Sequence, residues 1–262
     1  MEDLVYTGVG SQSTADEICK VFTYLGAELG CRGWRLRSGH ASGPDISFED
    51  GSPKLLGVDA HMGRLGREIF LPWRKFNGRR QSYDPFNPDT TSEEDDEGYY
   101  VPDAHWPTYE KAAEIAESVI PYWDNLKPSH KRLHTRNVYQ VLGKRLDQPS
   151  QAVICNAALD GKGEPKGGTR TAIKIAELYN VPVFNRQKYE NDDDFIEAVL
   201  DFVINKEMGT YDTDNHTESQ KPTTPKVDAA DAADGGVVVG STETPTKTGT
   251  DPAEGKGSAK AD

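Results

Sequence analysis

The chain lacks several features whose absence narrows what it does. Its 262 residues hold only three cysteines, Cys19, Cys31 and Cys155, an odd number with no C-x-x-C pair. That pattern excludes a disulfide framework and a structural zinc of the usual kind, and fits a reducing compartment in which buried thiols serve as packing residues. No apolar run approaches the roughly 20 residues that cross a bilayer. Met1-Glu2-Asp3 does not begin a signal peptide, so a cytoplasmic protein with no membrane partner is expected. There is no G-x-x-x-x-G-K-[ST] loop, which disfavours an ordinary ATPase. His130 and His134 share a helix face without the glutamate of an H-E-x-x-H zinc site; we read them as surface histidines and expect no metal. Hydrophobic residues make up only 35%, so part of the chain should lie outside any core. Net charge is −13, of which residues 211–262 carry −5. An acidic body repels phosphodiester backbones at long range, which leaves only local basic patches for DNA.

What is present alternates between short apolar strands and amphipathic helices. Leu4–Thr7, Trp34–Arg37, Glu68–Leu71, Ala152–Cys155 and Val181–Phe184 read as strands. Helical spacing follows Thr14-x-x-Glu17 (a capping-box pattern), starts again near Gly43, and returns over 112–119, 128–142, 172–178 and 195–202. This order predicts an α/β, Rossmann-like, mostly parallel sheet with helices on both faces. Residues 1–208 are expected to form one domain with a long acidic insertion at 77–106, around Glu93-Glu94-Asp95-Asp96-Glu97. Residues 209–262 read as a disordered low-complexity tail of Thr, Pro, Asp, Ala, Gly, Ser and Lys.

Three glycine-rich turns fall at predicted carboxyl ends of strands, where open parallel sheets bind ligands. They contain Gly8, Gly10 and Ser11; then Ser38, Gly39, Ala41, Gly43 and Asp45; then Gly167, Gly168, Thr169 and Thr171. Bare backbone, hydroxyls and helix starts together suit a phosphate. Taken singly, each turn has a plain reading as a tight bend or helix cap. Asp45 either hydrogen-bonds a ribose hydroxyl or the backbone of a neighbouring turn, or simply partners the helix dipole from the first turn. Arg136-Asn137 lies in a basic helix and either reaches a sugar-phosphate or faces solvent. Trp73-Arg74-Lys75-Phe76 interleaves cations with aromatics, as in a base-stacking platform, unless those cations pair with the acidic loop. The first turn lacks the third glycine and the distal acid of a dinucleotide fingerprint, which disfavours a nicotinamide dehydrogenase.

At these residues the chain resembles the SLOG superfamily, which unites the DNA-processing protein A family with the LOG (lysine-decarboxylase-like) family. The nearest likeness is to short DNA-processing-A-like proteins of bacteriophages, and it covers roughly residues 3–206 outside the insertion. The pattern S-G-x-A-x-G-x-D stands as Ser38, Gly39, Ala41, Gly43 and Asp45, and Arg136-Asn137 matches the start of an R-N-R element. Gly167-Gly168-Thr169-Arg170-Thr171 corresponds to a G-G-x-G-T turn, with Lys166 in place of the usual proline and Lys174 in place of the LOG glutamate. The resemblance implies a nucleotide-derived ligand, with Arg37 and the residues above holding it. It also implies single-stranded DNA binding in recombination mediation, with Arg37, Trp73, Arg74, Lys75, Phe76 and Arg136 as candidate contacts. A nucleotide N-glycosidic phosphoribohydrolase is the third reading; it would need Asp45 or Asp160 to replace the missing carboxylate. A phage protein of this kind would work in the host-cell cytoplasm, and a homo-oligomer stays open. No cofactor beyond the nucleotide-type ligand is expected.

Overall fold

Six short strands carry the structure, a computed structural model that describes residues 3–57, 65–80 and 98–211. They are β1 (Val5–Gly10), β2 (Arg35–Ser38), β3 (Arg67–Phe70), β4 (Tyr99–Tyr100), β5 (Ala152–Asn156) and β6 (Val183–Asn185). All pair in parallel, in the order β4-β3-β2-β1-β5-β6. The helices are α1 (Asp16–Cys31), α2 (Pro44–Gly51), α3 (Tyr109–Ser118), α4 (Pro128–Leu142), α5 (Thr169–Leu178) and α6 (Asp192–Glu207). The fold is therefore the α/β Rossmann-like sheet that the alternating pattern predicts.

Two apolar clusters, one per sheet face, hold the layers together. Phe22, Leu25 and Leu29 of α1, Phe48 of α2 and Phe195 and Phe202 of α6 pack on Tyr6, Leu36 and Ile154. On the other face Ala112 of α3, Val138, Tyr139 and Leu142 of α4 and Ile173 and Ile175 of α5 pack on Val9, Val153 and Cys155. Strands covered on both sides explain why β5 reads as an unbroken apolar run rather than an alternating one.

The structure departs from the sequence reading at several points. β1 does not end at Gly8 but runs through Gly10. A Cβ on Gly8 would meet the Phe48 ring at 2.6 Å, and one on Gly10 would meet Pro44 at 2.3 Å. Both glycines are bare because α2 lies directly against the strand. The expected capping box is not formed: α1 starts at Asp16, and the Thr14 hydroxyl donates to the Ser11 carbonyl at 2.7 Å. The last strand, β6, starts two residues later and ends one residue later than expected. Part of the supposed insertion belongs to the fold, since Tyr99–Tyr100 forms the sheet edge and Trp106 is buried edge-on against Tyr139 at 5.2 Å. Two residues are too few to show a period. The acidic run at 93–97 and the tail from 212 lie outside the described residues, as do the readings made of them. Among the described residues no helix is long and apolar enough to cross a membrane.

Candidate functional site

β1 and β5 are neighbours, yet the chain leaves β1 toward α1 on one face and β5 toward α5 on the other. Loops that part in this way open a crevice beyond the carboxyl ends of the strands. Here the crevice is a cavity of about 570 Å³. Val9, Gly10, Ser11 and Gln12 form its floor, and Ala41 and Asp45 come from the β2–α2 turn. Gly167, Gly168, Thr169 and Ala172 enter from α5, and one face of α4 makes the opposite wall.

Of the residues singled out from sequence, Gly10, Ser11, Ala41, Asp45, Arg136, Asn137, Gly167, Gly168 and Thr169 line this space. Gly8, Arg37, Ser38, Gly39, Gly43 and Thr171 do not, and each has a packing task nearby. Arg37 is buried between Glu68, at 2.8 Å, and the Gln148 carbonyl, at 2.5 Å. Ser38 donates to the Gly8 carbonyl at 2.6 Å, and Thr171 meets His134 Nδ1 at 2.8 Å. Gly43 takes a positive φ of 87° at the start of α2. Gly39 makes room for Arg136, whose Nη1 lies 1.1 Å from where a Cβ would sit.

Asp45 ties the floor together. Its Oδ1 accepts from the Gly10 N–H at 2.9 Å, and the N–H groups of Ala41 and Gly39 also point to its carboxylate. Of the readings of Asp45, the backbone of the neighbouring turns is an observed partner, and its place in the first turn of α2 also sets it at the positive end of that helix. Arg136 Nη1 stands 3.7 Å from Asp45 Oδ2. Gln140, with its amide oxygen turned to these donors, accepts from Arg136 Nη1 and from Gly39 N–H, each at 2.8 Å, and donates to Asn137 Oδ1 at 3.0 Å. Asn137 Nδ2 in turn donates to the Gly168 carbonyl at 3.2 Å, which joins α4 to the start of α5. Arg136 is 6% exposed, and its Nε makes no hydrogen bond among the described residues. Burial pulls the Arg136 pKa downward while Asp45 holds it up.

The turn carrying Asp45 is braced from behind. His40, at φ 55°, meets Glu49 Oε2 through Nδ1 at 2.8 Å, and Tyr99 donates to the other oxygen of Glu49. Asn77 Nδ2 holds the His40 carbonyl at 2.8 Å. Desolvation pushes Glu49 up, but the hydrogen bonds from His40 and Tyr99 and the charge of Arg67 outweigh it, so its pKa is lowered.

α5 begins with unfilled space. Gly168 is helical in conformation (φ −65°, ψ −31°) and Gly167 is left-handed (φ 73°); a Cβ on either would touch nothing within 4 Å. No side chain caps this helix; the N–H groups of Arg170 and Thr171 bond the Gly167 and Gly168 carbonyls at 3.3 and 3.2 Å, which leaves the turn from Gly167 to Thr169 as the part open to an anion.

The carboxylates proposed for hydrolysis are engaged otherwise. Asp160 accepts from the N–H groups of Lys162 and Glu164 in its own loop. Lys174, standing where the LOG pattern has glutamate, pairs with Glu164 at 2.8 Å and Glu177 at 2.9 Å. The aromatic–cation segment does not form a paired stacking face either. Phe76 is buried and edge-on to Trp73, with centroids 5.1 Å apart. Trp73 is half-buried beneath the Arg132 guanidinium at 5.9 Å, and only Arg74 and Lys75 stand exposed.

Sequence reasoning missed most of the α4 wall. Beside the expected Arg136 and Asn137, His130, Leu133, His134 and Gln140 recur at helical spacing along the cavity, with Tyr122 and Leu126 ahead of them. The signal was legible: a stripe at core spacing that mixes His, Asn and Gln with a single leucine is ill suited to a core. The surface reading holds for His130, which is exposed at the mouth, but His134 is half-buried inside. Among the described residues no group of three His, Cys, Asp or Glu is placed to hold a metal ion.

Two titrating groups on the cavity oppose one another. Burial, aided by His130 and Arg136, lowers His134 from 6.5 to about 4. Between those values the unfolded chain takes up a proton that the folded chain refuses, so His134 removes stability as pH falls. Desolvation raises Asp45 from 3.8 to about 6 against the pull of Arg136 and three N–H groups. There the folded chain keeps a proton that the unfolded chain has released, so Asp45 removes stability as pH rises. The windows overlap between about pH 4 and 6. A His134→Gln variant is expected to lose more stability than wild type on going from pH 4 to 6, read from urea midpoints. Parallel pH profiles would refute the opposition.

No protein-family model matches the chain, and no curated protein matches it. Among solved structures it is similar to DNA processing protein A from Helicobacter pylori, described for its single-stranded DNA binding mode. The two are 17% identical, the match covers 83% of this chain and 80% of that one, and the TM-score is 0.37. A likeness at that level says nothing of what this chain binds.

Proposed function

We propose that this chain binds a nucleotide or nucleotide-derived anion in the cavity between β1 and β5, without turning it over. One observation carries the reading. The open start of α5, the Ser11 turn and the Arg136–Asn137 step of α4 all border the same 570 Å³. That volume lies within the range of small-molecule sites, about 300–1,000 Å³. Asp45 is the one carboxylate lining the cavity among the described residues, and both its oxygens are committed to backbone N–H groups and Arg136. A lone engaged carboxylate is a clamp rather than an acid–base pair.

Titration calorimetry with mono- and dinucleotides tests this, and at least one is expected to bind with micromolar affinity. Silence across the panel overturns the reading. Chromatography of the same mixtures would reveal free base if there were hydrolysis. A short single-stranded oligonucleotide joins the panel. Its retention at low salt only, with no mononucleotide binding, would shift the function to the exposed cations Arg74, Lys75 and Arg132.

A further inference from the structure

The cavity has two unlike halves. Near the middle of α4, Arg136 and Asn137 stand level with the open turn at Gly168. Toward the helix start the lining changes to Leu133, His134 and His130, with Leu126 and Tyr122 across from them. At 1.5 Å per residue, Leu133 and His130 lie about 4 to 9 Å along α4 from Arg136. Leu133 is half-buried yet belongs to neither apolar cluster and packs against neither, and Tyr122 is 48% exposed. Their apolar surface faces the cavity rather than the protein.

We infer that this outer half is a seat for the flat heteroaromatic base of a nucleotide whose phosphate sits at Gly168 and Arg136. The inference rests on the anion reading proposed above and adds to it the orientation of the guest. Three rings in this half, Tyr122, His130 and His134, favour a planar π-face over an alkyl chain. His134 meets the Thr171 hydroxyl through Nδ1 at 2.8 Å, and its Nε2 makes no hydrogen bond among the described residues. One neutral ring nitrogen is thus left to meet a base edge, acting as donor or acceptor according to the Thr171 hydroxyl.

The test compares AMP, GMP, CMP and UMP with ribose 5-phosphate and octyl phosphate by calorimetry. On wild type, at least one nucleotide is expected to bind about tenfold more tightly than ribose 5-phosphate, the scale of one base stacked on an aromatic wall. Leu133→Ser should reduce that nucleotide to the level of ribose 5-phosphate, leave ribose 5-phosphate unchanged, and keep the unfolding midpoint. Tyr122→Ser, at an exposed position, should give the same split. Equal affinity for nucleotides and ribose 5-phosphate overturns the base seat while the anion reading stands. So does a variant that weakens both ligands alike, or octyl phosphate binding more tightly than any nucleotide. If neither nucleotides nor ribose 5-phosphate bind wild type, the anion reading falls and the base seat with it.

Discussion

Replacing Gly168 by glutamate is expected to abolish nucleotide binding, by at least a hundredfold, while leaving the protein folded and no less stable. Gly168 already has helical φ and ψ, so a side chain there strains nothing, and the space around its Cβ is empty. A carboxylate in the first turn complements the helix dipole and contributes about 0.3–1 kcal/mol. The same carboxylate occupies the place proposed for the phosphate and repels it. Like charges set against each other in a poorly hydrated pocket cost several kcal/mol. Gly167, its neighbour, answers differently. Its φ of 73° makes even alanine cost about 1–2 kcal/mol, so a binding defect at Gly167 would be mixed with a folding defect. Calorimetry and thermal unfolding on both variants separate the effects. Unimpaired binding by the glutamate variant would move the anion away from α5.

Removing the carboxylate at the cavity floor should have the largest effect on stability. Asp45→Ala leaves the N–H groups of Gly10 and Ala41 without their shared acceptor, leaves Gly39 only Gln140, and leaves Arg136 buried without its counter-charge. Breaking a buried pair from one side typically costs about 3–5 kcal/mol. Asp45→Asn keeps one oxygen for Gly10 and should cost distinctly less. Burial raises the Asp45 pKa against the charge of Arg136 and the three N–H groups, so asparagine gives up the charge but also its desolvation. Equilibrium urea unfolding at neutral pH decides the matter. Equal losses for alanine and asparagine would show that charge dominates instead.

Much of this site was visible before the fold. The helix and strand periods were local, and Arg136, Asn137, Asp45 and the turn at Gly167–Gly168 stood out as residue types suited to an anion. What each glycine was for did not show. Gly8 and Gly39 look like ligand-facing backbone in the sequence, yet Phe48 and Arg136 fill the space beside them, and Gly10 borders the cavity with Pro44 standing where its side chain would go. Those neighbours lie between 34 and 97 positions away in the chain, beyond the reach of any local pattern. The α4 wall escaped for a related reason: a helix of this length has two buried faces, and only packing on the sheet tells which of them the core takes.

Periodicity, composition and turn chemistry act between near neighbours, so the chain alone determined its element order, its parallel α/β class and the residue types that could meet an anion. Tertiary structure decided the rest. By setting β5 beside β1 it placed Gly168 against Asn137 and Arg136 beneath Gly39, and so separated the glycines that face a guest from those that face the protein. The reason is steric: a bare Cα is open or occupied only with respect to atoms that folding brings to it.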